Sequence, residues 1–129
     1  MTTTEIGAVG EKIAAKFLKR NGYKILAKNS RHSHNEIDII ATDRNFLVFV
    51  EVKTRSVNEN DIYSPYGTPA DAVTPSKQRR TVAAAQDYIF ENPSRHTKKQ
   101  PRMDVIEVYL SKETQKMIKI NHIKDAFGA

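Results

Sequence analysis

The strongest strand-like pattern in the chain runs from Glu36 to Thr54, where Glu-Ile-Asp-Ile-Ile-Ala and Phe-Leu-Val-Phe-Val-Glu-Val-Lys-Thr flank the polar segment Thr-Asp-Arg-Asn. β-Branched and aromatic side chains favour a pleated, half-buried surface, so the pattern predicts a β-hairpin. Alternation places Glu36, Asp38 and Ile40 on one face and Ile37, Ile39 and Ala41 on the other; on the second strand Leu47, Phe49, Glu51 and Lys53 fall together. With Thr42 to Asn45 as the loop, Ala41 lies across from Phe46, Asp38 from Phe49 and Glu36 from Glu51. All the charges then share a face, with Asp38 and Glu51 as diagonal neighbours about 7 Å apart at Cβ. Two carboxylates at that spacing repel each other unless a cation lies between them. Phe46 to Val50 is apolar on both faces, which predicts a central strand covered on both sides.

Upstream, Ile6, Val9, Ile13, Phe17 and Leu18 recur at helical spacing over Glu5 to Arg20, with Thr2 to Thr4 as cap and Asn21-Gly22 as stop. Gly7, Gly10, Ala14 and Ala15 keep one side small, so the helix can approach a sheet and bring Glu11 to the charged face. Taken alone, Glu11 reads better as a surface residue pairing with Lys12. Tyr23 to Asn29 predicts an edge strand. Arg31 to Asn35 predicts a polar connector, whose His32 and His34 we leave outside any metal site.

Downstream, Arg55 to Pro75 predicts a long irregular loop, in which Arg55, Tyr63 and Tyr66 are candidates to contact a nucleic-acid backbone and stack on a base. Thr74-Pro75 opens a second helix to about Asn92, with Val82, Ala85, Ile89 and Phe90 inward. Lys77, Gln78, Arg79 and Arg80 crowd its first turns, where the helix dipole disfavours cations unless an anion or nearby carboxylates compensate. After a basic connector from Ser94 to Gln100, Arg102 to Leu110 predicts a strand and Lys116 to Asn121 a short one. In the tail, Ile123, Ala126 and Phe127 stand at helical spacing.

Composition narrows the function classes. A chain of 129 residues suits one domain, and the lack of cysteine excludes disulfides and thiolate zinc sites. No apolar run is long enough to span a bilayer, and Met-Thr-Thr-Thr-Glu lacks the features of a signal peptide, so the expectation is a cytoplasmic protein without a membrane partner. The net charge of +6 is consistent with a polyanionic partner such as nucleic acid.

Gly10-Glu11, Glu36-Ile-Asp-Ile-Ile-Ala41, Val48-Phe-Val-Glu-Val-Lys-Thr-Arg55, the Ala72-Val73 to Arg80 segment and Arg102-Met-Asp-Val105 together resemble the YraN-type family of bacterial proteins. That family is similar to the PD-(D/E)XK, restriction-endonuclease-like nucleases, and within them to the archaeal Holliday-junction resolvases. The resemblance covers nearly the whole chain. It implies an α/β fold, a restriction-endonuclease-like αβββαβ core with a central mixed sheet flanked by helices, in a single domain spanning residues 1–129.

Position by position, the resemblance makes Asp38 and Glu51 metal-binding and catalytic residues, Lys53 their catalytic partner, Glu11 a further carboxylate and Val52 a backbone-carbonyl ligand, for Mg²⁺ or Mn²⁺. Lys77 and Gln78 match polar positions beside the site. With Arg31, Arg55, Arg79 and Arg80 they form the expected nucleic-acid-binding set. Asn35 stands where the family usually has Gly, Met103 where it has Phe, and no proline precedes Asp38. The implied activity is a metal-dependent endonuclease hydrolysing DNA phosphodiester bonds, with branched DNA such as Holliday junctions as a candidate substrate and a homodimer as a candidate assembly. The alternative is a nucleic-acid-binding protein that keeps the fold with little turnover.

Overall fold

Helix α1 (Thr3–Arg20) starts at Thr2, whose side chain accepts a hydrogen bond from the Glu5 N–H. It ends in a Schellman turn: Gly22 takes a left-handed φ of +88°, the Tyr23 N–H bonds the Leu18 carbonyl and the Gly22 N–H that of Lys19. The structure, a computed structural model, describes residues 1–59 and 73–128. The remaining elements are β1 (Lys24–His32), β2 (Asn35–Thr42), β3 (Phe46–Val57), α2 (Pro75–Glu91), β4 (Gln100–Ser111) and β5 (Met117–Phe127). They form a mixed α/β fold around a five-stranded sheet in the order β1-β2-β3-β4-β5, antiparallel except for the parallel β3–β4 pair. A parallel pair needs a crossover connection, and α2 lies on it.

Strand β3 is central, as its apolar faces require. On one side Val48 and Val50 pack with Ile39, Ala41, Ile106 and Leu110 against Ala14, Ala15 and Leu18 of α1. On the other, Leu47 and Phe49 pack with Ile40, Met103 and Val105 against Ala84 and Ala85 of α2. The approach of α1 depends on Gly10. A Cβ there would fall 1.8 Å from the Thr54 Oγ1 and 2.9 Å from its Cβ. Although alanine gains about 1 kcal/mol over glycine in a free helix, Gly10→Ala should cost a net 1–3 kcal/mol or so through overpacking. Urea unfolding should show that loss, with most of it recovered on adding Thr54→Ala.

Several elements differ from the sequence pattern. The expected connector Arg31 to Asn35 is mostly strand: Arg31 pairs with Glu36 and His32 with Asn35, leaving Ser33 and His34 as the turn. Strand β3 continues to Val57 because β4 runs beside it in register to Ser111. Tyr63 and Tyr66 lie outside the described residues. The inward stripe of α2 is Thr81, Ala84 and Ala85, with the expected Val82 and Ile89, and also Tyr88, packed against the same cluster. Phe90 is half a helical turn away and 84 % exposed, not inward as expected. The tail is strand: the helix-like spacing of Ile123, Ala126 and Phe127 comes from a bulge at Asp125, which takes a φ of +54° in a ladder that pairs Phe127 with Met103.

A buried polar cluster ties the start of β4 to its neighbours. Asp104, fully buried, accepts two hydrogen bonds from Arg102 at 2.8 Å, one from the Asp125 N–H at 2.9 Å, and lies 2.7 Å from the His122 Nε2. Arg102 also donates to the Tyr23 hydroxyl at 2.7 Å and lies over the Phe46 ring.

Candidate active site

The hairpin loop has the expected length but sits one residue further along. Asp43 fixes it by accepting the N–H groups of Asn45 and Phe46 at 2.9 and 2.8 Å. Thr42 therefore pairs with Leu47, Ala41 with Val48, Ile40 with Phe49 and Ile39 with Val50. The expected pairs Ala41–Phe46, Asp38–Phe49 and Glu36–Glu51 are displaced by two positions, an even shift that keeps each side chain on its face. Continued by one step, the observed register sets Asp38 across from Glu51 instead of diagonal to it.

The ladder ends at that step, because the Asp38 Oδ2 accepts the Val52 N–H at 2.8 Å in place of a main-chain carbonyl. Alternation also breaks at Asp38, since Ile37 and Ile40 pack in the α2 cluster while Ile39 packs in the α1 cluster. Asp38 thus leaves the simple two-face pattern and reaches into the opening between β2 and β3.

Glu51 is buried, with Lys53 Nζ 3.6 Å from its Oε1. From α1, Glu11 comes close enough to Asp38 for hydrogen bonding between their side chains. Burial and the Asp38 charge push the Glu11 carboxyl up from its ordinary value. Burial, and then the Glu51 charge, push Asp38 up to about 7; the Val52 N–H and the Lys77 ammonium on α2 oppose the shift without cancelling it. The structure therefore brings Glu11, Asp38, Glu51 and Lys53 together, with Lys77 facing them from the α2 side.

The remaining expected residues have partners of their own or face solvent. The Gln78 amide donates to the Val73 carbonyl at 2.8 Å. The Arg55 Nε donates at 3.3 Å to the buried Glu107, the β4 residue paired with Lys53. Arg31 pairs with Glu36 at 3.5 Å and is largely exposed. Arg79 and Arg80 are exposed on the outer side of α2.

Asn29 is a site residue that the hydrophobic pattern did not single out. With its amide nitrogen turned to the acids, it donates to the Glu11 Oε2 at 3.1 Å and the Glu36 Oε1 at 3.0 Å. Its sequence signal was an asparagine at the end of a strand pattern, where that residue type is depleted.

Among the described residues, no three acidic or imidazole side chains stand as a ready-made metal cage. Asp38, Glu51, the Val52 carbonyl and Glu11 nevertheless offer only hard oxygen donors. Such a partial set suits Mg²⁺ or Mn²⁺, which retain several waters, better than a closed structural site. The shifted Asp38 carboxyl makes the fit testable without catalysis. Because its pKa is higher in the fold than the ordinary 3.8, the stability it contributes is full below about pH 4 and lost as pH rises through about 7. In chelator, Asp38→Asn should therefore raise the unfolding free energy measured in urea at pH 8, with a ceiling of about 4 kcal/mol, and the gain should vanish toward pH 4. An equal effect at both pH values would contradict the site electrostatics.

The model for Uncharacterised protein family UPF0102 matches residues 10–108. A UPF0102 protein of Caldanaerobacter subterraneus subsp. tengcongensis is 50 % identical over 123 residues, covering 95 % of this chain and 93 % of that protein. UPF0102 proteins of Chloroherpeton thalassium and Clostridium botulinum are 42 % and 44 % identical, covering 98 % and 95 % of this chain and 95 % and 94 % of their own lengths. The matched span runs from Gly10 on α1 to Val108 in β4 and so contains all the carboxylates described above. On this family match and these full-length relatives, the chain belongs to the UPF0102 family.

Proposed function

We propose that this protein is a Mg²⁺- or Mn²⁺-dependent endonuclease that hydrolyses DNA phosphodiester bonds, including those of branched DNA. The observation that carries the proposal is the withdrawal of Asp38 from the β2–β3 ladder onto the Val52 N–H, beside Glu51 and Glu11 and within reach of Lys77. Folding confers no benefit from crowding carboxylates in a part-buried opening; a cationic ligand gives the arrangement a use. Asp38 and Glu51 would hold the ion, with Val52 lending its carbonyl and Glu11 acting directly or through water. When bound, a divalent cation neutralises phosphate charge and lowers the pKa of a coordinated water.

The chain's own residues supply the remainder. Lys53, beside Glu51, places an ammonium where negative charge builds on the phosphoryl oxygens as water adds and the ester oxygen departs. Lys77 adds a second positive charge from the α2 side. Arg79 and Arg80, exposed on α2, and Arg31 on β1 would contact phosphates outside the reacting centre without reading sequence. Symmetric cleavage of a junction needs two sites, and a homodimer would provide them.

The net charge of +6 fits equally a second reading, a nucleic-acid-binding protein with little turnover. One assay separates the two: duplex, single-stranded and four-way-junction DNA, together with RNA, incubated with Mg²⁺ or Mn²⁺ and with chelator. Metal-dependent cleavage supports the nuclease. Salt-sensitive binding without cleavage supports the second reading, since each phosphate neutralised releases counterions. Neither binding nor cleavage on any substrate would remove both. Among the described residues no helix is long and apolar enough to cross a membrane.

A further inference from the structure

Asn29 has a left-handed backbone, with φ at +49°, within strand β1. A non-glycine residue rarely adopts this conformation, although asparagine tolerates it better than most. Its position in the ladder is informative. Lys28 pairs with Ile39 and Ser30 with Ile37, while the intervening Asn29 and Asp38 do not pair. The irregular residue of β1 thus lies opposite the residue at which alternation breaks in β2.

The Asn29 side chain lies on the same site. In the amide orientation that turns nitrogen to the acids, that nitrogen is 3.1 Å from the Glu11 Oε2 and 3.0 Å from the Glu36 Oε1, so one neutral group donates to two carboxylates from two elements. An NH₂ group has two hydrogens and can serve both acceptors at once. An aspartate of nearly the same shape would instead present a third negative charge and no donor.

We propose that Asn29 is a positioning residue for the carboxylate site: its left-handed backbone lets Asp38 leave the β1–β2 ladder, and its amide holds Glu11 in place by bridging it to Glu36. The inference rests on the reading of Glu11, Asp38 and Glu51 as a divalent-cation site. It adds a residue that touches no reacting atom and acts through Glu11. Groups of this kind fix a ligand's orientation and commonly change metal affinity when removed.

The backbone and amide roles are separated by two substitutions. Asn29→Gly keeps the left-handed conformation without strain and deletes the amide; Asn29→Asp keeps the shape but replaces donors with acceptors. In calorimetric titration with Mn²⁺ alone, we expect Asn29→Gly to bind about 10–100-fold more weakly than wild type; in chelator at pH 7, Asn29→Asp should lose more stability than Asn29→Gly, because a third carboxylate repels Glu11 and Glu36. Wild-type affinity in Asn29→Gly would overturn the amide's role.

A second arm in chelator keeps the test independent of the metal. Asn29→Gly should lower the melting temperature by a few degrees in the wild-type background, because Glu11 and Glu36 lose the group between them, and by less when both are already glutamine. Equal losses in the two backgrounds would overturn the clamp. If wild type binds no Mn²⁺, the metal-site reading falls, and the chelator arm alone decides whether Asn29 bridges the acids.

Discussion

Lys53→Met is expected to slow phosphodiester cleavage by about two to three orders of magnitude, equivalent to roughly 2.7–4 kcal/mol of transition-state stabilisation, while DNA affinity changes only a few-fold. Lys53 is near the end of the apolar part of β3, with its ammonium 3.6 Å from the Glu51 Oε1 and its side chain 30 % exposed. Methionine preserves most of the aliphatic stem that packs along the strand, so the fold should persist. In the proposed reaction, the lost component is a positive charge beside the phosphate. Since the ammonium contacts Glu51, its removal leaves that carboxylate more negative, and ground-state binding of a divalent cation should be maintained or slightly tightened. Single-turnover cleavage together with equilibrium binding separates these effects. Equal cleavage by wild type and Lys53→Met would remove Lys53 from the chemistry.

Asp104→Ala should produce the largest loss of stability, about 3–5 kcal/mol. Burial alone would raise the Asp104 pKa, but hydrogen bonds from His122, Arg102 and the Asp125 N–H hold it below its ordinary value. The depressed pKa means that its stabilisation is present above the unfolded value and is lost as acid protonates the folded carboxylate. Deleting the carboxylate leaves the buried Arg102 guanidinium without its anion and the Asp125 N–H without an acceptor. Removing one partner of a buried pair costs far more than the pair's net contribution, which explains the size of the effect. Asp104→Asn keeps an acceptor and should lose less. Urea unfolding at pH 7 measures both, and a loss below 1 kcal/mol for Asp104→Ala would show that Arg102 is adequately served by Tyr23 and the Phe46 ring.

The sequence revealed those parts of the fold that depend on one element's own pattern. Phe46 to Val50, apolar on both faces, specified a central strand without reference to any partner, and Thr74-Pro75 marked the start of α2 because the cap and the first helical residue are adjacent. Gly10 and its small neighbours likewise indicated where α1 would approach the sheet. Features created by a contact between elements were not legible. The two-residue register displacement depends on Asp43 capping its own loop, and the β5 bulge on the Asp125 N–H reaching Asp104.

The site was partly legible for the same reason. Alternation placed Asp38 and Glu51 near each other, yet it could not show that a side chain would replace the main chain as acceptor for Val52. Arg55 carried the same positive charge as Lys53 two positions earlier, but its hydrogen bond to the buried Glu107, the β4 residue paired with Lys53, depends on a neighbouring strand. Asn29 became visible only through its backbone angle and its two acidic neighbours.

The central claim is that Asp38 and Glu51 form one divalent-cation site, and calorimetric titration of the purified protein with Mn²⁺ tests it most directly. Wild type should bind saturably, and Asp38→Ala and Glu51→Ala should each lose most of that affinity while remaining folded by circular dichroism. Mn²⁺ binding of unchanged strength in both folded variants would contradict the site.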